Sequence, residues 1–177
     1  MSCSNAALSR RGILLPLALA LAGCGFRPLY ARRGTQEWDP ELAAIVVDPI
    51  RDRPGQILEL ALRENLNPAG RSVPAQWRLQ TLLTVSRADL GIQRNATAAS
   101  SEITVSASYS LFDIQSGKAL YSNSSRAISD FNQLTDSYAT QVAADDARDR
   151  ALQQVAQEMT MRMSIFMHQL RAKSAAR

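Results

Sequence analysis

The hydrophobic period changes several times along the chain, and each change predicts an element. Ala43-Ala44-Ile45-Val46-Val47 is a continuous apolar run rich in β-branched residues, which predicts a short buried strand ended by Asp48-Pro49. From Arg53 to Leu66, the residues Leu58, Ala61, Leu62 and Leu66 recur at steps of three and four and so share one face of a helix. Pro54 suits its first turn, and Asn67-Pro68-Ala69-Gly70 stops it. Residues 76–87 then alternate. Trp77, Leu79, Thr81, Leu83 and Val85 fall on one side, and Arg78, Gln80, Thr84 and Ser86 on the other, as in a half-buried strand. A strand, a helix and a strand in this order predict a right-handed βαβ crossover.

Ala88 to Ser100 is small and polar and reads as a loop or hairpin tip. Residues 102–114 alternate more cleanly, with Ile103, Val105, Ala107, Tyr109 and Leu111 opposed to Thr104, Ser106, Ser108 and Ser110. Gln115-Ser116-Gly117-Lys118 reads as a tight turn in which glycine supplies the positive φ. Ala119 to Ser129 is the partner strand, so the last three strands predict an antiparallel meander. From Ser137 the period becomes 3.6. Tyr138, Val142, Leu152, Val155, Met159, Met163, Phe166 and Leu170 form an apolar stripe, and Asp145, Asp146, Arg148, Asp149 and Arg150 lie off it. Such a helix reaches ~50 Å, longer than a small sheet needs, so a kink or a frayed end past Leu170 is expected. The methionines read as core filler. The expected fold class is α/β (α+β): a two-layer sandwich in which two helices cover one face of a mixed four-stranded sheet. Ser, Thr, Gln and Arg line the other face.

The amino-terminal 23 residues do not belong to this pattern. Arg10 and Arg11 precede the apolar run Ile13 to Leu21, which is followed by the small residues Ala22 and Gly23. A basic head, a short apolar middle and a small-residue exit predict a secretory signal peptide. The run is too short for a transmembrane helix, which needs ~20 apolar residues. Cys24 after Leu21-Ala22-Gly23 resembles the lipobox of bacterial lipoproteins. That resemblance implies cleavage before Cys24, a diacylglycerol on its sulfur and an acylated amino terminus. Several acyl chains together hold a protein stably at a membrane surface. Residues 24–41, with Pro28, Gly34, Pro40 and the pair Arg32-Arg33, read as a lipidated tether, and 42–173 as a single domain. Gly25, where some bacteria place an inner-membrane retention Asp, leans toward the outer membrane.

Charge and composition narrow the function. Loss of Arg10 and Arg11 lowers the basic count from 20 to 18 against 16 acidic residues, a net charge of about +2. This mild balance does not predict nucleic-acid binding. Cys3 leaves with the signal peptide, so Cys24 remains as the one cysteine and the domain relies on core packing. His168 is the one histidine, which with no nearby cysteine does not predict a metal site. No G-x-S-x-G elbow, G-x-G-x-x-G or P-loop occurs. Asp145, Asp146 and Asp149 are spaced as a solvated helix face. No catalytic residue, metal or cofactor is therefore expected.

The segment that follows the lipobox, Gly25-Phe26-Arg27-Pro28-Leu29-Tyr30, resembles the start of the lipopolysaccharide-assembly lipoprotein family, LptE, in its alphaproteobacterial form. Four further segments fit in order: "IVVDPIRDRPGQILELALRENL" (45–66), "WRLQTLLTVSRADLGIQRNATAASSEITVSASYSLFD" (77–113), "SGKALYSNSSRAISDFN" (116–132) and "YATQVAADDARDRALQQVAQEM" (138–159). The resemblance covers nearly the whole mature chain and rests on the ordered set. It implies a protein at the periplasmic face of the outer membrane that plugs the β-barrel LptD, assists its assembly and helps deliver lipopolysaccharide to the outer leaflet. A polar sheet face suits the polar interior of a large barrel. Arginine forks suit lipid phosphates, and the candidates for that contact are Arg87, Arg94, Lys118 and Arg126. Two other readings stand beside this one. An auxiliary lipoprotein of an ABC-type lipid transport system also pairs a lipobox with a small α/β domain, and a lipid-anchored hydrolase would draw on His168 and Asp145.

Overall fold

The structure, a computed structural model, describes residues 39–90 and 100–175. The signal peptide, Cys24, the tether as far as residue 38, and Arg94 lie outside the described residues. Asp39-Pro40-Glu41 opens the domain with a helix start. The Asp39 carboxylate accepts from Glu41 N–H at 3.0 Å, and Pro40 occupies the first turn, where its missing N–H is not needed. The result is a one-turn helix α1 (Pro40–Ala43) in a stretch that the sequence pattern divides between tether and strand. The strand proper, β1, is therefore shorter than expected, Ile45–Val47, and only Ile45 and Val47 point into the core.

Helix α2 (Asp52–Leu66) buries Leu58, Leu62 and Leu66, as its apolar spacing requires. Each such leucine contributes roughly 1.5–3 kcal/mol of burial. Strands β2 (Trp77–Leu90), β3 (Ser100–Asp113) and β4 (Ala119–Asn132) follow. The sheet order is β1-β2-β3-β4, with β1 parallel to β2 and the rest antiparallel. This is the mixed four-stranded sheet that the periodicity predicts. The β2–β3 ladder runs on to the Leu90–Ser100 pair, and β4 to Asn132, further than the end at Arg87, the start at Glu102 and the end at Ser129 expected from alternation. Small and polar residues there carry little alternation, but they extend the backbone ladder. Gly117, at φ +67°, makes the β3–β4 turn that its type predicts.

Helix α3 (Ser137–Ala175) runs well past Leu170 as one element. It buries Ala144, Ala147, Ala151, Leu152, Val155, Ala156, Met159, Met163 and Met167. The buried Leu, Val and Met positions bear out the expected stripe from Leu152 to Met163 and the core role of the methionines. Tyr138 and Val142 depart from it, 77% and 50% exposed. Residues two apart on a helix lie ~200° apart, so with Ala144 facing in, Val142 must face out. The alanines set the true phase, and they are too small to dominate an apolar count. Leu170 also lies exposed, at the edge of the buried zone.

Candidate functional site

Strict alternation along β2, β3 and β4 splits the sheet into two faces. Leu79, Leu111, Val105, Ala127 and Phe131 face the helices and are buried. The open face carries rows of small polar residues in register across three strands. Thr84 is paired with Ser106 and Ser106 with Arg126; Gln80 is paired with Ser110 and Ser110 with Ser122. The Ser110 and Ser122 hydroxyls are hydrogen-bonded to each other at 2.8 Å. Leu82 and Ile128 interrupt this polarity, exposed by 72% and 47%.

Where β1 ends, the open face deepens into a cleft of about 760 Å³. From the open face, Gln80, Ser108, Ser110 and Ser122 line it together with the apolar Leu82 and Phe112. Asp48 and Arg51, on the connection from β1 to α2, form the rim. Three contacts hold that connection. Ile50 is buried against Gly55, whose missing side chain makes the room: a Cβ there would lie 2.7 Å from Ile50 Cγ2. The Ile50 N–H donates to Glu59 Oε2 at 3.2 Å. Asp52 takes φ +67°, an uncommon conformation outside glycine. Asp48 is paired with Arg78 at 3.8 Å, and the Arg78 guanidinium lies 5.8 Å from the centre of the Phe112 ring. Sequence alternation places Phe112 on the polar face, in phase with Ser108 and Ser110. Nothing local marks Arg51 as its neighbour.

The structure does not gather the phosphate candidates into one cluster. Arg87 belongs to the helix side of the sheet, not to the open face, because it is in phase with Leu79 and Val85. Its charge is engaged: Nε lies 3.2 Å from Asp89 Oδ1, and the guanidinium sits 4.9 Å from the centre of the Phe131 ring. The Ser101 hydroxyl, fully buried, donates to the same Asp89 oxygen at 2.6 Å, and Gln133 Nε2 donates to it at 3.0 Å. Hydrogen bonds from Ser101, then Arg87, hold the Asp89 carboxyl below its ordinary pKa. Lys118 is exposed in the β3–β4 turn at the opposite end of the sheet. From Ile103, opposite Arg87, to Asp113 beside that turn is ten residues, on the order of 30 Å of strand. Arg126 is exposed in the middle of the open face. Arg94 and Cys24 are among the residues the structure does not describe.

The described residues hold no group of three or more His, Cys, Asp and Glu able to hold a metal, and no helix among them is long and apolar enough to cross a membrane. The domain is thus layered, with a broad hydroxyl-bearing face and, beside β1, a cleft of mixed polar and apolar lining. Comparison with known proteins refines this. The family model for LptE, "Lipopolysaccharide-assembly", matches residues 42–163, well over half of the chain, and the chain belongs to that family. Its fold is similar to that of a putative lipoprotein from Caulobacter crescentus CB15, at TM-score 0.58 and 21% identity over 73% of this chain and 96% of that one. It is similar also to rare lipoprotein B from Shewanella oneidensis, at TM-score 0.56 and 14% identity over 72% and 96%. An uncharacterized protein of Rickettsia prowazekii is 26% identical over 157 residues, 86% of this chain and 94% of that one.

Proposed function

We propose that this lipopolysaccharide-assembly lipoprotein is anchored through Cys24 at the periplasmic face of the outer membrane, where it binds and plugs an LptD-type β-barrel, assists its assembly and helps pass lipopolysaccharide to the outer leaflet. The family membership over residues 42–163 carries this reading. The open sheet face supports it. Three strands of 14 residues present Ser, Thr, Gln and Arg in register, and such a surface can exchange hydrogen bonds with the polar interior of a large barrel. Arg126 on that face, Lys118 in the β3–β4 turn, Arg87, and Arg94 outside the described residues are the candidate contacts for lipid phosphates.

The test is co-purification. The full chain, tagged at its carboxyl terminus, is extracted from envelopes in mild detergent, and the proteins that accompany it are identified. A near-stoichiometric large β-barrel retained in high salt is the expected outcome. Thr84, exposed on the open face outside the cleft, supplies the variant: Thr84→Tyr is expected to keep the fold and lower the yield of the barrel several-fold. Recovery of an ABC permease or a periplasmic lipid shuttle instead favours the auxiliary-lipoprotein reading.

A further inference from the structure

We infer that the cleft between the β1–α2 connection and the open sheet face holds the phosphorylated saccharide part of a glycolipid, with Arg51 as its anion contact. The inference rests on the lipopolysaccharide reading above and adds to it a site and the portion of the ligand bound there.

The cleft's volume, about 760 Å³, lies in the range of small-ligand sites and suits one or two sugar rings. Its floor offers hydroxyls that both donate and accept (Ser108, Ser110 and Ser122) and the Gln80 amide, which is the complement of a polyol. Phe112 adds an apolar edge for sugar C–H groups. Leu82, exposed in the same lining, adds a second apolar edge of that kind.

The charge is placed to recognise an anion. Asp48 is already paired with Arg78, so that part of the rim is neutral. Arg51 is exposed on the rim, and among the described residues no carboxylate pairs with it. Its neighbour Ile50 is packed against Gly55 and hydrogen-bonded to Glu59, which anchors the backbone on one side of it. A guanidinium fork presented on a fixed backbone is the group that fits a phosphate with two parallel hydrogen bonds. Arg126 lies on the same face one row beyond Ser124, the cross-strand partner of Ser108, a step of about 7 Å. It is placed for a second phosphate on the same ligand.

The experiment uses the full chain in detergent and two soluble probes. One is the deacylated, phosphorylated oligosaccharide backbone of lipopolysaccharide; the other is the same oligosaccharide after phosphatase treatment. Inorganic phosphate serves as competitor. Titration calorimetry is expected to show binding of the phosphorylated probe, at least tenfold weaker binding once its phosphates are removed, and little competition from phosphate alone. Arg51→Glu and Ser110→Leu, made separately, are each expected to weaken binding about tenfold or more, the loss of a charge-assisted or buried hydrogen bond. Arg53→Glu, on the exposed side of α2, is expected to leave it unchanged.

Unchanged binding in both Arg51→Glu and Ser110→Leu would overturn the site. If the wild-type chain captures intact lipopolysaccharide but ignores the phosphorylated oligosaccharide, the saccharide assignment falls while the lipopolysaccharide reading stands. If it captures neither, both fall. Full competition by inorganic phosphate would reduce the site to an anion contact and overturn the sugar-binding floor.

Discussion

Arg171, near the carboxyl end of α3, donates through Nε to Glu41 Oε1 at 2.9 Å, tying the last helix to the first across 130 positions of sequence. A second guanidinium nitrogen reaches Asp39 Oδ1 at 3.3 Å, so the start of the first helix is fastened to the same helix end. Hydrogen bonding to Glu41, then the charge of Glu41, raises the Arg171 pKa above its ordinary value.

Arg171→Ala removes both contacts. The arginine is half exposed, so solvent and salt screen the pair, and the expected loss is modest. A thermal melt is expected to fall by about 2–4 °C. In 1 M salt the difference from wild type shrinks; an equal difference at low and high salt would show that packing of the arginine stem, not charge, holds the helix end.

Gly55→Ala tests the packing beneath the cleft rim. The new Cβ meets Ile50 Cγ2 at 2.7 Å and the Ile50 carbonyl carbon and oxygen at 3.0 Å. An overpacked contact of this kind costs about 1–3 kcal/mol. Ile50→Ala in the same chain removes the Cγ2 clash but not the backbone one, so the two substitutions are expected to be non-additive in urea unfolding, the double variant losing less than the sum.

Asp89 links stability to pH. Its folded-state pKa is depressed, chiefly by the Ser101 hydroxyl and then by Arg87. A depressed carboxylate contributes stability that is present above its unfolded pKa of about 3.9 and is lost as pH falls through the folded value. Asp113, held down by the Ser116 backbone N–H and hydroxyl, has the same sign. Asp89→Asn is expected to lower the melting temperature at pH 7, with the gap to wild type narrowing below about pH 4 and closing as pH falls through the folded-state value. Parallel pH series of thermal melts read this directly, and a constant gap down to pH 3 would contradict it.

Cys24→Ser removes the proposed acylation site and leaves the domain's core alone, since every core residue named above lies at Leu42 or beyond. The variant is expected to leave the membrane pellet on fractionation while keeping the wild-type circular dichroism spectrum. Loss of that spectrum would mean that the anchor supports the fold.

Most of the architecture can be read from the chain because local periodicity and burial agree. Ile103, Val105, Ala107, Tyr109 and Leu111 alternate in sequence and all five are buried. Leu58, Leu62 and Leu66 recur at helical spacing and all three are buried. The phase of α3 before Leu152 is harder to read, because Ala144, Ala147 and Ala151 carry the contact and Val142 carries the hydrophobicity. The ends of β2, β3 and β4 are likewise hidden. Ala88, Asp89, Ser100 and Asp130 there are small or polar and carry little alternation, although Ser101 and Phe131 among them are buried.

The site divides along the same line. Alternation by itself determines that Ser106, Ser108, Ser110 and Phe112 share one face, since a strand offers its side chains only two directions. It also puts Arg87 on the other face, although a basic residue in an otherwise polar stretch invites the opposite reading. Only the tertiary structure decided that Arg51 stands over Ser108 and Ser110, some sixty residues away in sequence, and that Asp89, Ser101 and Gln133 surround Arg87. Side-chain direction follows from the backbone period within one element. Proximity between elements depends on how far β1 runs before it turns and on which helix face packs, and those are settled by the whole core at once.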